Sequence, residues 1–413
     1  MRILMLTQWF TPEPIFKGLP FAKELIRRGH EVEVLTGIPN YPGGKVYDGY
    51  RIHFYQRETM DGVPVIRVPL YPSHDSSAIR RIANYASFSV AAATIGLLSV
   101  RKADVMYVYH PPATVGLPAV LIKLLRRIPF VYDIQDLWPD TLAATGMLDN
   151  KLALKMVDSW CRFIYRRASR IVVLSPGFKD VLVEKGVPAE KVEVVYNWCD
   201  ESTPLMGQKD ESLARELGFA NRFNIVFAGT MGKAQALDSV LDAAAMIAEK
   251  YPTLQFIFIG GGIEVDRLKE RTRVERLTNV KFLPRRSMSE IGPILQVADA
   301  LLVHLKDHPL FRITVPSKTQ AYLAAGRPIL MGVAGDAHDL CKKSGAGLSF
   351  LPENSESLAK AVIDLYCLPQ KQRDIMGAKG REFYLNELSL GTGAERFEEI
   401  FRAVTRLRRG GGA

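Results

Sequence analysis

Residues 224–262 read NIVFAGTMGKAQALDSVLDAAAMIAEKYPTLQFIFIGGG. Two apolar runs, Asn224 to Ala228 and Gln255 to Ile259, are separated by a segment from Leu237 to Lys250 with helical periodicity. Short continuous apolar runs are typical of strands buried on both faces of a parallel sheet. The stretch therefore predicts a strand, a helix and a second strand that ends in the glycines at 260–262.

The same alternation continues on both sides of this unit. Further strands are predicted from apolar runs that begin at Ile3, Val32, Val105, Phe130, Ile171, Val280, Ala300 and Pro328. Strands interleaved with helices indicate α/β domains with doubly wound parallel sheets. We expect two such domains, at 1–198 and 199–385. Residues 386–413 are expected to form a C-terminal helix, able to pack back on the first domain, and a basic Gly-rich tail that is disordered over 406–412.

The composition narrows the classes of partner. Of the 413 residues, 47% are hydrophobic and 24% charged, which is ordinary for a globular protein, but the net charge is +10. A basic balance suits an anionic ligand, an anionic membrane or nucleic acid. The sequence shows no nucleic-acid-binding module and no interleaving of aromatic and basic residues, so we expect no nucleic-acid partner. The four cysteines lack metal-ligand spacing and are expected to be buried, reduced thiols of a cytoplasmic protein.

One uncharged segment raises the question of a membrane. It runs from Ala86 to Val100 and is flanked by Arg80, Arg81, Arg101 and Lys102. It is shorter than the roughly 20 apolar residues that a spanning helix needs. Two interpretations remain open: a helix buried in the protein core or docked on a neighbouring domain, or a helix in the membrane interface with its arginines on anionic headgroups.

Residues 314–318, Thr-Val-Pro-Ser-Lys, predict a phosphate-binding helix N-terminus. Ser317 is a candidate N-cap for a helix that ends before Gly326, and Lys318 and Arg312 add positive charge. The free N–H groups and the dipole of a helix N-terminus favour anions. An ordinary capped helix with a solvated lysine is the alternative.

Other candidate residues follow predicted strands, where doubly wound sheets bind their ligands. In the second domain these are the glycines at 260–262 and the loop from Gly229 to Lys233. In the first domain they are His110 and the carboxylates Asp133, Asp136 and Asp140. For His110 alone, a structural and a catalytic role are equally open, and the three aspartates cannot all be catalytic. No Walker-type loop, complete Gly-x-Gly-x-x-Gly or Asp-x-Asp pair is present, so neither a cofactor nor a metal is expected.

These motifs together resemble a known family. The segments that carry the resemblance are 10–14, 25–32, 109–112, 132–139, 315–318 and 324–328. They are similar to those of retaining glycosyltransferases of family 4, whose GT-B fold has two Rossmann-like domains facing a central cleft. Residues 40–44 and 232–235 resemble the WbuB/WcaI-like branch, which builds O-antigen and exopolysaccharide repeat units on a lipid carrier.

The resemblance implies a role for each candidate residue. Catalysis on the acceptor side would fall to His110 and Asp136. The donor diphosphate would be bound by Lys318, Ser317, Arg312, Lys233 and Gly18. The donor nucleoside would be bound by Arg285, Pro284, Gly261 and Gln320. In this family retention is ascribed to front-face attack, in which the leaving diphosphate takes the acceptor proton.

The resemblance also implies partners and a location. The donor would be a nucleotide sugar, a UDP-sugar with an N-acetylated deoxysugar. The acceptor would be a lipid-linked glycan, a sugar on undecaprenyl diphosphate. The enzyme would lie peripherally on the cytoplasmic face of the inner membrane and contact it through residues 78–102.

The chain departs from the family pattern at the donor site. Ile313 and Ala321 stand where the family has two glutamates, and Thr230 and Gln235 stand where it has an arginine and a lysine. We therefore expect a rearranged diphosphate site, with ribose recognition unassigned. A UDP-sugar 2-epimerase of the same fold and a non-catalytic scaffold are the two alternative functions.

Overall fold

The chain folds into two compact units. The computed structural model describes residues 1–74, 77–144, 147–201 and 209–410. The first unit comprises residues 1–196 together with 393–413, and the second comprises residues 197–392. Each unit contains one β-sheet flanked by helices.

The first unit is built on an eight-stranded sheet in the order β3-β4-β2-β1-β5-β6-β7-β8. Its strands are β1 (Arg2–Leu6), β2 (Glu31–Gly37), β3 (Gln56–Met60), β4 (Val63–Val68), β5 (Val105–His110), β6 (Phe130–Ile134), β7 (Arg170–Val173) and β8 (Val192–Val194). Among these described strands only β3 is antiparallel to its neighbour. The helices are α1 (Leu19–Arg27), α2 (Ala78–Ala91), α3 (Leu97–Ser99), α4 (Gly116–Arg126), α5 (Asp140–Ala144), α6 (Lys151–Arg167) and α7 (Pro176–Glu184).

The second unit is built on a six-stranded parallel sheet in the order β11-β10-β9-β12-β13-β14. Its strands are β9 (Phe223–Ala228), β10 (Leu254–Ile259), β11 (Val280–Leu283), β12 (Ala300–His304), β13 (Ile329–Gly332) and β14 (Gly347–Ser349). Its helices are α8 (Glu211–Glu216), α9 (Asp238–Ala248), α10 (Val265–Val274), α11 (Met288–Val297), α12 (Pro309–Arg312), α13 (Ser317–Ala325), α14 (Asp336–Ser344), α15 (Ser355–Cys367) and α16 (Gln370–Glu387). The last helix, α17 (Leu390–Gly410), begins in the second unit and continues in the first.

Both sheets reverse their strand order once, as doubly wound sheets do. The reversal lies between β1 and β5 in the first sheet and between β9 and β12 in the second. Helices leave the sheet in opposite directions at such a point, so a crevice opens at the carboxyl ends of the two strands. The loops after β1, β5, β9 and β12 are therefore the positions where each unit is expected to bind ligands.

Strand burial follows directly from the apolar runs in the sequence. All six residues of β9 and all six of β10 are buried. Phe256 and Phe258 on one face of β10 pack with Leu241 and Ala244 of α9 in a single hydrophobic cluster. Removing these side chains from water stabilises the layered arrangement by roughly 25 cal/mol per Å² of apolar surface.

The basic C-terminal tail differs from the prediction. Residues 406–412 were expected to be disordered, whereas α17 extends to Gly410. The helix has an apolar face, on which Phe397, Phe401 and Val404 are buried within the first unit, and it continues beyond them to Gly410. Residues 411–413 lie outside the described residues.

A second correction concerns Cys367, which is exposed, whereas the other three cysteines are buried as predicted.

The apolar segment at 86–100 is part of a longer helical run. Helix α2, a π-helical turn at Ala92–Gly96 and α3 follow one another without a break. Within the described residues, the part from Ile79 to Ser99 is long and apolar enough to cross a membrane. Core helices of globular proteins pass the same test, so the two interpretations of this segment remain open.

Candidate active site

The N-terminus of α13 lies at the reversal point of the second sheet. The segment after β12, which contains the short helix α12, leads into α13, and the loop that begins at Gly229 follows β9, the strand next to β12. The side chain of Tyr322 joins the two elements: its hydroxyl accepts a hydrogen bond from the N–H of Ala228 at 2.8 Å. Helix α13 has the bounds predicted from the sequence, Ser317 to Ala325.

Lys318 carries a buried ammonium group with no anionic partner. Its Nζ lies 3.4 Å from the centroid of the Phe227 ring and makes no hydrogen bond with any of the residues that the structure describes. A Cβ placed on Gly229 would lie 3.3 Å from the same Nζ, so the glycine leaves room for it. Burial lowers the pKa of Lys318 to about 7. A buried cation without a partner is costly, and an anion bound beside it would remove that cost.

The start of α13 differs from the prediction in one respect. Pro316, and not Ser317, occupies the N-cap position, and none of the side chains that the structure describes caps the helix. The first N–H groups of a helix have no intrahelical acceptor, so an uncapped N-terminus leaves donors for a ligand. Ser317 is exposed in the first turn, where a phosphate oxygen could meet it.

Gln320 is predicted to bind the nucleoside; in the structure its side chain faces the backbone at the start of α13, and its contact with a nucleoside stays a prediction. The side chain is buried, and its amide nitrogen is placed to donate to the carbonyl oxygens of Pro316 at 2.9 Å and Ser317 at 3.0 Å. The Gln320 side chain therefore stabilises the first turn of α13, which carries Lys318. A buried amide that is satisfied by the backbone has little capacity left for a ligand.

The glycine loop after β10 serves mainly to pack against the loop after β9. A Cβ on Gly260 would lie 2.0 Å from the carbonyl oxygen of Gly229, and a Cβ on Gly262 would lie 2.2 Å from that of Met231. Only glycine permits this approach. Gly261 differs, because a Cβ there would meet no atom within 4 Å. Of the three glycines it is the one whose surroundings leave space for a ligand.

The remaining predicted donor-site residues of the second unit are dispersed. Arg312 is exposed and donates from Nε and Nη2 to the carboxylate of Asp307, at 2.8 and 2.9 Å. Lys233 lines a pocket of about 430 Å³ whose lining includes Lys306 and Glu353 but neither Lys318 nor Arg312. Pro284 and Arg285 are exposed directly after β11.

Gly18 belongs to the first unit and lies at the start of α1. A Cβ on Gly18 would lie 2.5 Å from the side chain of Ile15, so the glycine is required by packing within its own loop. No side chain caps α1. Whether Gly18 also meets a diphosphate remains a prediction.

His110, the predicted catalytic residue of the first unit, is the last residue of β5. Its ring is buried, 5.5 Å from Trp138 and 5.6 Å from Tyr132 between centroids, and neither ring nitrogen has a hydrogen-bond partner among the described residues. Burial lowers the pKa of His110 to about 3, so the imidazole is neutral at physiological pH. A buried imidazole with both nitrogens unsatisfied calls for a ligand or ordered water.

The three candidate aspartates separate by their surroundings. Asp133 accepts hydrogen bonds from Lys17 at 2.8 Å and Tyr107 at 2.6 Å, and Asp140 is paired with Lys185. The carboxylate of Asp136 is partly buried and makes no ion pair or hydrogen bond with the described side chains, and burial raises its pKa. Asp136 is therefore the one of the three that is free to meet a substrate.

Sequence reasoning missed several residues that shape these sites. Phe227 supports Lys318, and Glu13 accepts hydrogen bonds from three backbone N–H groups in the first unit. Lys17 forms a fully buried ion pair with Asp133. Phe227 reads as one more apolar residue of a strand, and Lys17 and Asp133 are 116 positions apart, so no local pattern marks them.

Two family descriptions match the chain. "Glycosyl transferase 4-like domain" matches residues 19–198, and "Glycosyl transferases group 1" matches residues 222–367. The chain belongs to the family 4 glycosyltransferases with the GT-B fold. It is thus a transferase enzyme by family, and its two doubly wound units are the two Rossmann-like domains of that fold.

Individual proteins agree with this assignment. This chain is 26% identical over 392 residues to the putative colanic acid biosynthesis glycosyl transferase WcaI of Escherichia coli. The matched region covers 90% of this chain and 93% of WcaI. The chain is 25% identical over 271 residues to the probable glycosyltransferase WbjE of Pseudomonas aeruginosa, covering 65% and 67% of the two chains. The structure of Anabaena HepE in complex with UDP and glucose has a TM-score of 0.65 at 18% identity and covers 97% of this chain and 99% of its own.

Proposed function

We propose that this enzyme transfers a sugar from a UDP-sugar to a lipid-linked sugar acceptor, with retention of the anomeric configuration, in the assembly of a cell-surface polysaccharide. The observation that carries the proposal is the unpartnered ammonium of Lys318 at the uncapped start of α13. A dianionic diphosphate supplies the charge that this group lacks, and the first N–H groups of the helix supply donors to its oxygens.

The proposed reaction needs little covalent chemistry from the protein. The acceptor hydroxyl attacks the anomeric carbon on the face that UDP leaves. As the new carbon–oxygen bond forms, the bond to the β-phosphate oxygen breaks, and the acceptor proton passes to the leaving diphosphate. Lys318 and the helix N-terminus stabilise the negative charge that develops on that diphosphate, which is where preorganised donors contribute most to the rate.

His110 and Asp136 are proposed to act on the acceptor side. The neutral imidazole of His110 can accept a hydrogen bond from a sugar hydroxyl through one nitrogen and donate one through the other. The carboxylate of Asp136 can accept a second hydroxyl, because none of the described side chains occupies it. Both groups orient the acceptor; neither is required as a nucleophile.

The choice of UDP is supported by a structural relative, and the choice of a lipid-linked acceptor is supported by the branch that the motifs resemble. The HepE structure contains UDP and glucose, and WcaI carries a name that refers to colanic acid biosynthesis. A donor with an N-acetylated deoxysugar and an acceptor on undecaprenyl diphosphate fit the branch that the motifs resemble. We propose no resident metal or cofactor.

A membrane location is proposed from the helical segment between Ala78 and Ser99. Ile79, Ile82 and Leu98 on this segment are 80%, 62% and 81% exposed, which is unusual for large apolar side chains. Arg126 donates to the carbonyl oxygens of Leu97 and Val100 and so brings positive charge to the end of the segment. Apolar side chains beside arginines suit a peripheral position on the anionic cytoplasmic face of the inner membrane.

Nucleotide binding tests the donor half of the proposal. The melting temperature of the full chain is measured with UDP, GDP and ADP at equal concentrations. UDP alone is expected to raise it, since a ligand at about 100 times its Kd stabilises by about 2.7 kcal/mol. A shift with another nucleotide would correct the base, and the absence of any shift would favour the non-catalytic scaffold.

Turnover tests the reaction. The protein is incubated with a panel of UDP-sugars, with and without a polyprenyl-diphosphate-linked sugar, and the products are followed by mass spectrometry and by the anomeric coupling constant. The proposal expects UDP release and a retained linkage only when acceptor is present, with the same rate after addition of EDTA. An altered sugar formed without acceptor would identify an epimerase instead.

Vesicle co-sedimentation tests the membrane proposal. We expect the full chain to pellet with phosphatidylglycerol vesicles and Leu98→Glu to remain largely in the supernatant. Leu152→Glu is a matched control, because Leu152 is 69% exposed on α6 and lies outside the segment. Equal binding of both variants and the wild type would contradict a role for residues 78–102.

A further inference from the structure

Four aromatic side chains of the first unit, three from loops and one from a helix, form a continuous layer. Trp9 follows β1, Tyr41 follows β2, Tyr85 lies on α2 and Trp138 follows β6. The rings of Trp9 and Tyr41 are stacked at 4.6 Å between centroids, and Tyr85 lies 6.4 Å from both Trp9 and Trp138. We infer that this aromatic layer is the subsite for the acceptor's sugar, whose pyranose ring stacks on it. The inference rests on the proposed function and names the ligand class of its acceptor half.

The layer presents a surface and is not simply a core cluster. Trp9 is buried at its base, whereas Tyr41, Tyr85 and Trp138 are each partly exposed. Three tyrosines and tryptophans that remain partly exposed at the carboxyl edge of a doubly wound sheet lie where such sheets bind ligands. Aromatic rings offer a large rigid apolar face at a low cost in side-chain entropy.

The structure holds the layer in place from behind. The carboxylate of Glu13 accepts the backbone N–H groups of Phe10, Asn40 and Tyr41, at 3.0, 2.7 and 2.7 Å. These bonds fix the loop after β1, which carries Trp9, to the loop after β2. Burial raises the pKa of Glu13 to about 7, so the contacts are made by a group that the fold has taken out of water.

A chain of buried amides joins the same two loops to α2. The Gln8 side chain donates to Asn84 at 2.6 Å, and the Asn84 side chain donates to Asn40 at 3.1 Å and to the carbonyl of Tyr71 at 2.7 Å. Asn84 is the neighbour of Tyr85 in the sequence. Buried and largely satisfied polar networks of this kind fix one arrangement of the groups they connect, here the loops and helix that carry three of the rings.

Polar groups beside the layer select a hydroxyl-rich ligand. The Asp136 carboxylate lies close enough to Tyr41 and Tyr85 to raise the pKa of both hydroxyls, although burial is the larger cause. The His110 ring, with two unsatisfied nitrogens, is in edge contact with Trp138. A pyranose has an apolar C–H face for the rings and hydroxyls for both polar groups. An isoprenoid chain would leave the carboxylate and the imidazole desolvated without partners, at a considerable cost.

The test measures acceptor kinetics of Tyr85→Ala and Trp138→Ala. Each is expected to raise the KM for a polyprenyl-diphosphate-linked sugar about tenfold, the size of one lost aromatic stacking contact. The KM for the UDP-sugar should remain within about twofold, and Tyr85→Phe, which keeps the ring, should behave like the wild type. Phe163→Ala is the aromatic control, since Phe163 lies on α6 outside the layer.

Inhibition by two probes separates sugar from lipid. Polyprenyl diphosphate without a sugar and the same compound with one are compared as inhibitors of the wild type and of Tyr85→Ala. The inference expects the variant to weaken only the sugar-bearing compound. Equal weakening of both would assign the layer to the lipid and overturn the inference, as would an unchanged acceptor KM.

Retained stabilisation by UDP shows that each variant is folded and has an intact donor site. If the wild type binds UDP and turns over while the acceptor KM does not respond to either alanine variant, the aromatic subsite is wrong and the proposed function stands. If the wild type shows neither UDP binding nor turnover, the proposed function itself fails.

Discussion

Lys17 and Lys318 each follow a strand at the reversal point of a sheet and have a buried ammonium group, but the surroundings of these two groups are opposite. In the first unit, Lys17 donates to the carboxylate of Asp133 at 2.8 Å, and both side chains are fully buried. In the second unit, the Lys318 ammonium lies on the Phe227 ring and makes no hydrogen bond to a carboxylate of any described residue. Burial lowers the pKa of both lysines, but only Lys17 has a neighbour that opposes the shift.

The difference shows which cation is structural and which is available. The charge of Lys17 is balanced inside the fold by the carboxylate of Asp133. Asp133 also accepts a hydrogen bond from Tyr107, and the Lys17 ammonium lies 4.9 Å from the ring centroid of Phe397 in α17. Among the described residues, the contact recorded for the Lys318 ammonium is the face of the Phe227 ring. A buried charge that the protein leaves unbalanced is a functional candidate, whereas a balanced one is part of the architecture.

The substitution Lys17→Met is expected to have the largest effect of those considered, and the effect is on folding stability. It would leave the Asp133 carboxylate buried without its cation. Removing one partner of a buried ion pair costs about 3–5 kcal/mol of folding free energy. We expect a marked fall in the melting temperature of the full chain. The double variant Lys17→Met/Asp133→Asn should recover part of the loss, since no net charge then remains buried. A melting temperature that does not change would mean that the pair contributes nothing to the fold.

Lys318→Met is expected to lower turnover and to leave folding stability unimpaired, the opposite of what is expected for Lys17→Met. Turnover is expected to fall about 10²- to 10³-fold, which is the cost of losing one preorganised group that stabilises charge in the transition state. The melting temperature without ligand should not fall, because the substitution removes an unpaired buried cation. Steady-state kinetics with a UDP-sugar and a melting curve on the same preparation provide both readouts. Turnover within threefold of the wild type would refute the assignment of Lys318.

The strands of both sheets and the position of Lys318 at the start of α13 can be predicted from the sequence. The partners of the two lysines cannot. Apolar runs interrupted by amphipathic segments predicted both sheets, and Pro316 and Gly326 predicted the bounds of α13. These signals are local, since each depends on residues within one or two turns. Lys318 was assigned to the diphosphate from the same local pattern, and the structure leaves its ammonium free of any described partner.

The partners of the charged groups could not be predicted, because they depend on contacts between distant segments. The bond between Lys17 and Asp133 spans 116 residues, and that between Gln8 and Asn84 spans 76. For the same reason the sequence does not indicate that the Gln320 amide faces the backbone of Pro316. A residue type and its position after a strand indicate where a side chain starts; they do not indicate what it meets.

The affinity of the enzyme for UDP is expected to depend on pH through Lys318. The pKa of Lys318 is about 7 in the free protein, and a bound diphosphate would raise it. UDP affinity should therefore fall as pH rises above 7, by up to about tenfold per unit until the pKa of the complex is reached. Without ligand the sign is reversed: the folded state holds fewer protons than the unfolded state between pH 7 and the ordinary lysine range, so stability rises with pH there. Calorimetric titration with UDP from pH 7 to 9 measures the slope.

Lys318→Met is the control for that slope. The variant lacks the titrating group, so its weaker affinity for UDP should be independent of pH over the same range. If wild type and variant showed equal slopes, the pH dependence would belong to another group. A flat profile in the wild type would mean that Lys318 does not exchange a proton when UDP binds.

Arg312→Ala is expected to have the smallest effect, a small change in the KM for the UDP-sugar. Arg312 lies just before the same helix, but it is exposed and engaged by both oxygens of Asp307. An exposed cation with its own carboxylate partner gains little from a nearby anion, since water and Asp307 already satisfy it. The KM for the UDP-sugar should change by less than about threefold, and Asp307→Asn, which frees the guanidinium, should leave it similar or lower. If Arg312→Ala instead matched the loss in Lys318→Met, the arginine would have to leave Asp307 when the donor binds. Burial in the free enzyme would then no longer separate the cation that meets the diphosphate from the one that does not.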